Sequence, residues 1–279
     1  MFAKLNISIN EVRKFINAFD WSTVRQRDID SYFDSEKDAS KKILDVALLK
    51  NNIWDGDGVR EMNFPRQIGT RHIFISHSHD DIEDVKKLAY VIEQEFGVYC
   101  FIDSMVWQNM NDLIRAFDEE YSLSDDNRSR YSYKKRNYST SHVHTMLATA
   151  LLEMINDCEC FLFVGSPNST LKLNYFRNHS DATLSPWIYE ENTFVKFIKP
   201  IIPEWLLRKR ERRYFSGGIG RINEDRKLNI AYKLDMSTFH PISAELLLDL
   251  HEERLLENDF LYGLCDSSGA LQQLELLLS

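Results

Sequence analysis

The residues most suited to chemistry form one short stretch, His77-Ser78-His79-Asp80-Asp81. It follows directly on His72-Ile73-Phe74-Ile75-Ser76, a short apolar run that reads as a buried strand. Imidazoles, a hydroxyl and two carboxylates are therefore expected at a strand's carboxyl end. In open α/β sheets that edge is where ligands bind. Two ligand classes suit such a cluster, a metal ion in a hydrolase or a nucleotide.

The metal reading rests on spacing. His77 and His79 stand two apart, and Asp81 two further on, so the three can converge on zinc. The pattern resembles the H-x-H-x-D-H motif of metallo-β-lactamase-fold hydrolases. Its final His is Ile82 here, and the later loop His of that family would have to be His142 or His144, at the start of an apolar-faced helix. That family also opens on antiparallel strands, where this chain shows helical spacing.

The elements around the stretch argue for an alternating α/β chain. Val85, Leu88, Ala89, Val91 and Ile92 recur at helical spacing and end near Phe96-Gly97, a natural helix stop. Val98-Tyr99-Cys100-Phe101-Ile102-Asp103 reads as a second strand, completing a βαβ unit and hence a parallel sheet. Residues 104–121 read as a helix with Trp107 at its start, and 141–157 as another. Cys160-Phe161-Leu162-Phe163-Val164 is a buried strand ended by the turn Gly165-Ser166-Pro167-Asn168-Ser169. Ser185 is an N-cap with Pro186 at the first helical position. Phe197–Pro203 and Leu228–Leu234 read as further strands, and residues around 243–257 and 268–278 as closing helices.

The expected fold is thus flavodoxin-like, a mostly parallel sheet with helices on both faces, over residues 71–279. Residues 1–70 read as a helical N-terminal extension, from Val12, Phe15, Ile16 and Phe19 and from Ile43, Val46, Ala47 and Leu49. Trp54-Asp55-Gly56-Asp57-Gly58 reads as a turn, since the ligand positions and closing Glu of an EF-hand are missing. Insertions are expected near 122–141, 170–184 and 204–227. The first carries Arg128, Arg130, Lys134, Lys135 and Arg136 among Tyr131, Tyr133 and Tyr138. Such interleaving suits single-stranded nucleic acid, or a solvated loop that meets an anionic ligand. Arg208-Lys209-Arg210 and Arg212-Arg213 form a second basic run, and Gly217-Gly218-Ile219-Gly220 lacks the Gly-Lys-Ser/Thr closure of a phosphate loop.

Bulk composition narrows the class. The chain has 279 residues, 43% hydrophobic, with a formal net charge of −9. That acidity argues against nucleic acid as the main partner while leaving room for a local basic patch. Cys100, Cys158, Cys160 and Cys265 form no C-x-x-C pair and read as reduced core residues. No apolar run reaches the ~20 residues of a membrane span, so a soluble, cytoplasmic protein is expected.

Three stretches together resemble TIR (Toll/interleukin-1 receptor) domains. Phe74-Ile75-Ser76-His77 with Asp80-Asp81 is similar to their first strand and loop, and Val98–Asp103 to their second strand. Phe163-Val164-Gly165-Ser166-Pro167-Asn168-Ser169, then Ser185-Pro186-Trp187 and Glu191, is similar to their fourth strand and W-x-x-x-E helix. The match covers residues 71–202 well and 228–275 loosely. Standalone bacterial TIR proteins, including those of Thoeris-type antiphage defence, are of this kind. The chain departs from the pattern at Ser104–Leu113, which holds no Gly or Pro, and at Ser78 and His79, where some TIR enzymes carry basic residues.

The resemblance implies cleavage of the nicotinamide–ribose bond of NAD, which is a substrate here with no further cofactor. Nicotinamide leaves as a neutral ring, so no strong acid is needed, and positive charge develops at the ribose carbon. A carboxylate beside the ribose stabilises that charge. Glu191 is the expected catalytic residue, on the same helical face as Trp187. Trp107 or Trp187 would stack on a flat ring, His77 and Ser78 would bind ribose or phosphate, and Asp103 would orient a loop or the ligand. Phe74 and Ser76 complete the expected contacts, Ser76 also reading as structural. Glu190 or Glu191 also suits a helix start, and Trp187 a core anchor. Assembly through TIR–TIR contacts and a downstream effector sensing an ADP-ribose-type product are implied. A TIR module that assembles without catalysis is the alternative.

Overall fold

The computed structural model describes residues 1–22, 24, 29, 48–49, 53–65, 71–103, 110–124, 130–172, 181–201 and 232–272. In chain order the elements are β1 (Ala3–Ser8), α1 (Ile9–Ile16), β2 (Leu48–Leu49), β3 (Ile53–Trp54) and α2 (Gly56–Asn63). Then come β4 (Arg71–Ser76), a 3₁₀ turn (His79–Asp81), α3 (Ile82–Phe96) and β5 (Tyr99–Phe101). They are followed by α4 (Met110–Tyr121), α5 (Tyr133–Asp157) and β6 (Cys160–Gly165). The short β7 (Leu171–Lys172) and β8 (Asp181–Thr183) precede α6 (Pro186–Phe197). Last are β9 (Tyr232–Lys233), β10 (His240–Pro241), α7 (Ala244–Glu252) and α8 (Glu257–Ser267).

The chain divides into two compact units. One comprises Met1–Arg25, Ile68–Phe101 and Ile155–Ser279; the other comprises Gln26–Gln67 and Ile102–Met154. The first is an α/β unit built on a five-stranded, wholly parallel sheet in the order β10-β1-β6-β4-β5, flanked by helices. The parallel sheet with flanking helices is consistent with the expected flavodoxin-like class, although the strand order departs from the 2-1-3-4-5 of flavodoxin itself. Phe74 stacks on Phe161 at 5.5 Å, and its ring also meets Phe101 at 5.4 Å. Against the sheet, α1 packs on α3 and α7, and α7 on α8. The Phe96 and Phe260 rings stack at 3.9 Å, joining α3 to α8. Gly97 ends α3 with φ +67°, a left-handed stop that glycine adopts without steric cost.

The N-terminal segment is not purely helical. Ala3, Leu5 and Ile7 are buried while Lys4, Asn6 and Ser8 are half-buried, the two-residue period of a strand. β1 lies inside the sheet, between β6 and β10. Lys4 and Asn6 break up what would otherwise be an apolar run, and this hides the strand from a search for helical spacing. α1 follows at once, capped by the Ser8 hydroxyl, and buries Ile9, Val12, Phe15 and Ile16 as expected.

In the second unit, Asp55 does not begin a plain turn. Its carboxylate accepts from the Gly58 N–H and caps α2. Arg60 of α2 pairs with Glu153 of α5. Trp54 donates its indole N–H to the Tyr121 hydroxyl at 2.9 Å and meets Phe117 edge-on. α5 starts at Tyr133, two turns before the expected Ser141. The reason is local pairing. Buried Asp118 accepts from Arg136 at 2.8 Å and from Ser139 at 2.5 Å, which draws polar residues of the expected loop into the helix.

Other boundaries differ too. Part of the 170–184 insertion forms β7 and β8, which join β9 in a separate antiparallel sheet, so the expected last strand does not extend the main one. Phe197 closes α6, and the strand expected there is not formed in the described part of 197–203. The helix expected over 243–257 is split into α7 (Ala244–Glu252) and α8 (Glu257–Ser267). Of the helix expected over 268–278, residues 270–272 are helical and 273–279 lie outside the described residues. Residues 204–227, with both the basic run and the glycines, lie outside the described residues. Among the described residues, no helix is long and apolar enough to cross a membrane.

Candidate functional site

The candidate site lies at the carboxyl edge of the main sheet. β4 and β6 are neighbours, with Ser76 opposite Phe163 in register. β4 continues through the 3₁₀ turn into α3, which packs on α1. β6 continues instead into β7, β8 and then α6, which packs on β8 and β9. The connections leaving these two adjacent parallel strands lead to opposite ends of the sheet, the topological switch at which α/β folds bind ligands.

α6 supplies the carboxylate. The Thr183 hydroxyl accepts the Ser185 N–H, and the Ser185 hydroxyl accepts the Ile188 N–H, which fixes where the helix starts. Its buried stripe is Ile188, Glu191, Asn192 and Val195, so two polar residues occupy positions that helical spacing reserves for the core. Asn192 is explained by pairing with the backbone of Asp235, whose N–H it accepts at 3.1 Å. Glu191 is 4% exposed and accepts the hydroxyl of Ser76, itself 2% exposed, at 2.5 Å. This bond holds one carboxyl oxygen of Glu191 at the end of β4. Glu190 is half-buried, and burial raises its carboxyl above the ordinary range.

The remaining expected residues separate. Trp187, one turn before Glu191, is half-buried. His77 and Ser78 are half-buried in the loop after β4, and His77 Nδ1 lies 3.4 Å from the Ile75 carbonyl. Phe74 has no exposed surface and is a core ring, placed between Phe101 and Phe161, so the substrate contact expected of it is not made through an accessible face. Asp103 belongs to the second compact unit, and Trp107 lies outside the described residues.

A second polar group at the same edge was not expected as a unit. Asp81 is 4% exposed, and both its oxygens are engaged, one by the Ser166 hydroxyl at 2.5 Å and one by the Asn168 amide at 2.8 Å. Ser166 Oγ in turn accepts the backbone N–H groups of Asn168 and Ser169. The loop after β4 is thereby clamped to the turn after β6. The available signal was topological: loops that leave neighbouring strands need complementary donors and acceptors. With both oxygens spoken for, Asp81 acts as a loop clamp here rather than as a ligand converging with His77 and His79. Among the described residues, no three or more His, Cys, Asp or Glu side chains are grouped to hold a metal ion. His142 packs its ring edge-on against Tyr138 at 4.5 Å.

The arrangement places a buried carboxylate at the carboxyl edge of the sheet, with half-buried His77 and Ser78 on the loop after β4. Comparison with protein-family models, curated proteins and solved structures finds no match.

Proposed function

We propose that this chain is a TIR-type enzyme that cleaves the nicotinamide–ribose bond of NAD, by hydrolysis or by cyclisation, yielding an ADP-ribose-type signal in antiphage defence. The observation that carries the reading is buried Glu191, held by Ser76 at the carboxyl edge of β4. The C–N bond breaks with its electron pair leaving on nicotinamide, whose ring becomes neutral. The cation that develops on the ribose is stabilised by the Glu191 carboxylate. Water, or a nucleophile within the nucleotide, then takes the ribose carbon and loses its proton. Trp187 supplies a flat apolar surface one helical turn away, and His77 and Ser78 supply donors for ribose or phosphate. Self-assembly of the chain and an effector that reads the product belong to the same proposal.

A second reading is a TIR module that assembles without catalysis. The low exposure of Glu191 favours it, since the Ser76 bond also serves as a strap between α6 and the sheet. The test is nicotinamide release from NAD by the full chain, in its assembled and activated state, beside Glu191→Gln. Loss of about 100-fold or more in the variant supports the enzyme. Equal release removes Glu191 from the mechanism, and no release by the unaltered assembled protein selects the second reading.

A further inference from the structure

The long helix α5 carries a surface whose charge runs against the rest of the chain. Acidic residues outnumber basic ones 43 to 34 overall, yet from Arg130 to Leu152 there is no Asp or Glu. The same span holds Arg130, Lys134, Lys135 and Arg136, three tyrosines, two histidines and six residues with aliphatic hydroxyls, Ser132, Ser139, Thr140, Ser141, Thr145 and Thr149. Val143 and Ala150 mark the buried side. Opposite them, at helical spacing, Lys134, Tyr138, Ser141, His142, Thr145 and Thr149 form an exposed stripe. Tyr133 is 82% and Tyr138 69% exposed, a large outlay of ring surface into water.

The cations are partly ordered before any partner arrives. Arg136 is held by Asp118 while keeping half its side chain exposed, and it lies over the Tyr131 ring at 5.4 Å. Lys135 donates to the Leu123 carbonyl at 3.1 Å. Arg130 and Lys134 are exposed. Glu119, Glu120, Asp125 and Asp126 are the nearest acids before the stripe in the chain, and Asp118 is consumed by Arg136.

We infer that the exposed stripe, together with the first turn of α5 and Arg130 just before it, binds single-stranded nucleic acid, with Arg130 and Lys134 on phosphates and Tyr133 and Tyr138 stacking on bases. Cations call for a polyanion. Exposed rings among cations provide the sequence-tolerant stacking platform of single-strand binders. A protein partner fits less well, because Leu152 is the one exposed large aliphatic on the stripe, and an interface core needs apolar anchors.

The test uses the full chain and fluorescein-labelled oligo-dT and oligo-rU of about 20 nucleotides, followed by fluorescence anisotropy at about 50 and 200 mM salt. Salt-weakened binding of the single strands is expected. Lys134→Glu should weaken it about tenfold at low salt and flatten the log–log salt slope by about 0.7 or more. Tyr133→Ala with Tyr138→Ala should weaken it about tenfold or more with the slope unchanged. All three residues are exposed, so circular-dichroism melting should stay as in the unaltered chain. Absence of binding at low salt overturns the inference, as does binding indifferent to both variants. Equal affinity for a duplex, insensitive to the tyrosines, also overturns it, leaving a purely electrostatic surface. Loss of self-association in these variants without loss of oligonucleotide binding would assign the face to a second copy of the chain instead.

Discussion

The hydroxyl of Ser76 and the carboxylate of Glu191 meet at 2.5 Å, although 115 residues separate them in the chain. Both are buried, so the pair fixes α6 on the end of β4 as well as placing a carboxyl group there. Glutamine at 191 keeps an acceptor for Ser76, and alanine does not. Glu191→Gln should therefore fold with stability within about 1 kcal/mol of the unaltered chain, while Glu191→Ala loses about 1–3 kcal/mol. Urea unfolding of both variants checks this. Equal losses would mean that the hydrogen bond is not what holds the helix.

The Asp81 clamp has two donors to lose. Asp81→Ala leaves the Ser166 hydroxyl and the Asn168 amide without their acceptor, and should cost about 3 kcal/mol in denaturant unfolding. Asn168→Ala removes one donor only and should cost about 1 kcal/mol. A neutral Asp81→Ala would show that the two loops are held by other contacts.

Two carboxylates shape stability against pH in opposite directions. Burial pushes Glu93 up from 4.5 to about 7. The folded protein therefore keeps a proton that the unfolded chain releases, so stability present below pH 4.5 is lost as pH rises through 7. Asp235 is held down from 3.8 to about 2 by the Ser237 hydroxyl, then Lys196 and the Ser237 N–H. Its contribution is present above pH 3.8 and lost as pH falls through about 2. Melting curves across this range should show a shallower alkaline decline for Glu93→Gln and a shallower acid decline for Asp235→Asn.

Gly97 is the left-handed stop of α3, and a Cβ there meets only the Glu257 side chain at 3.5 Å. Space is therefore not the obstacle, and backbone conformation is. Gly97→Ala should cost about 1 kcal/mol in urea unfolding. No change would place the end of α3 in another conformation.

Leu5 is fully buried in β1, between β6 and β10. Leu5→Ala should cost about 2–5 kcal/mol, as in the core of a domain. A loss under about 0.5 kcal/mol, typical of a surface appendage, would contradict the central placement of this strand.

Legibility in the sequence followed how much each element depends on its own neighbours. β4, α3 and β6 were readable because apolar runs and helical spacing are local signals, and Gly97 and Ser185 are local punctuation. β1 was not, since two polar residues interrupt it and its partners lie far along the chain. Nor was the first part of α5, whose polar face is held by Asp118 of another helix. Within the candidate site, Glu191 was singled out through the resemblance of the stretch from Trp187 to Glu191 to the W-x-x-x-E helix of TIR domains. Asp81 with Ser166 and Asn168 was not, because only the sheet order brings those loops together. Phe74 was misplaced for a related reason: an alternating strand has two faces, and both are covered at this position.

The position of β1 also bears on how the molecule is assembled in time. Its register partners, Cys160 to Gly165 on one side and His240 to Pro241 on the other, follow it by more than half the chain. During synthesis the strand emerges early and stays unpaired until those segments leave the ribosome. Contacts of such high sequence separation also slow refolding, toward the millisecond-to-second range or beyond. Until β6 arrives, Leu5 and Ile7 have no strand partner on that side, and an apolar strand left unpaired in this way is a site where a nascent or refolding chain aggregates.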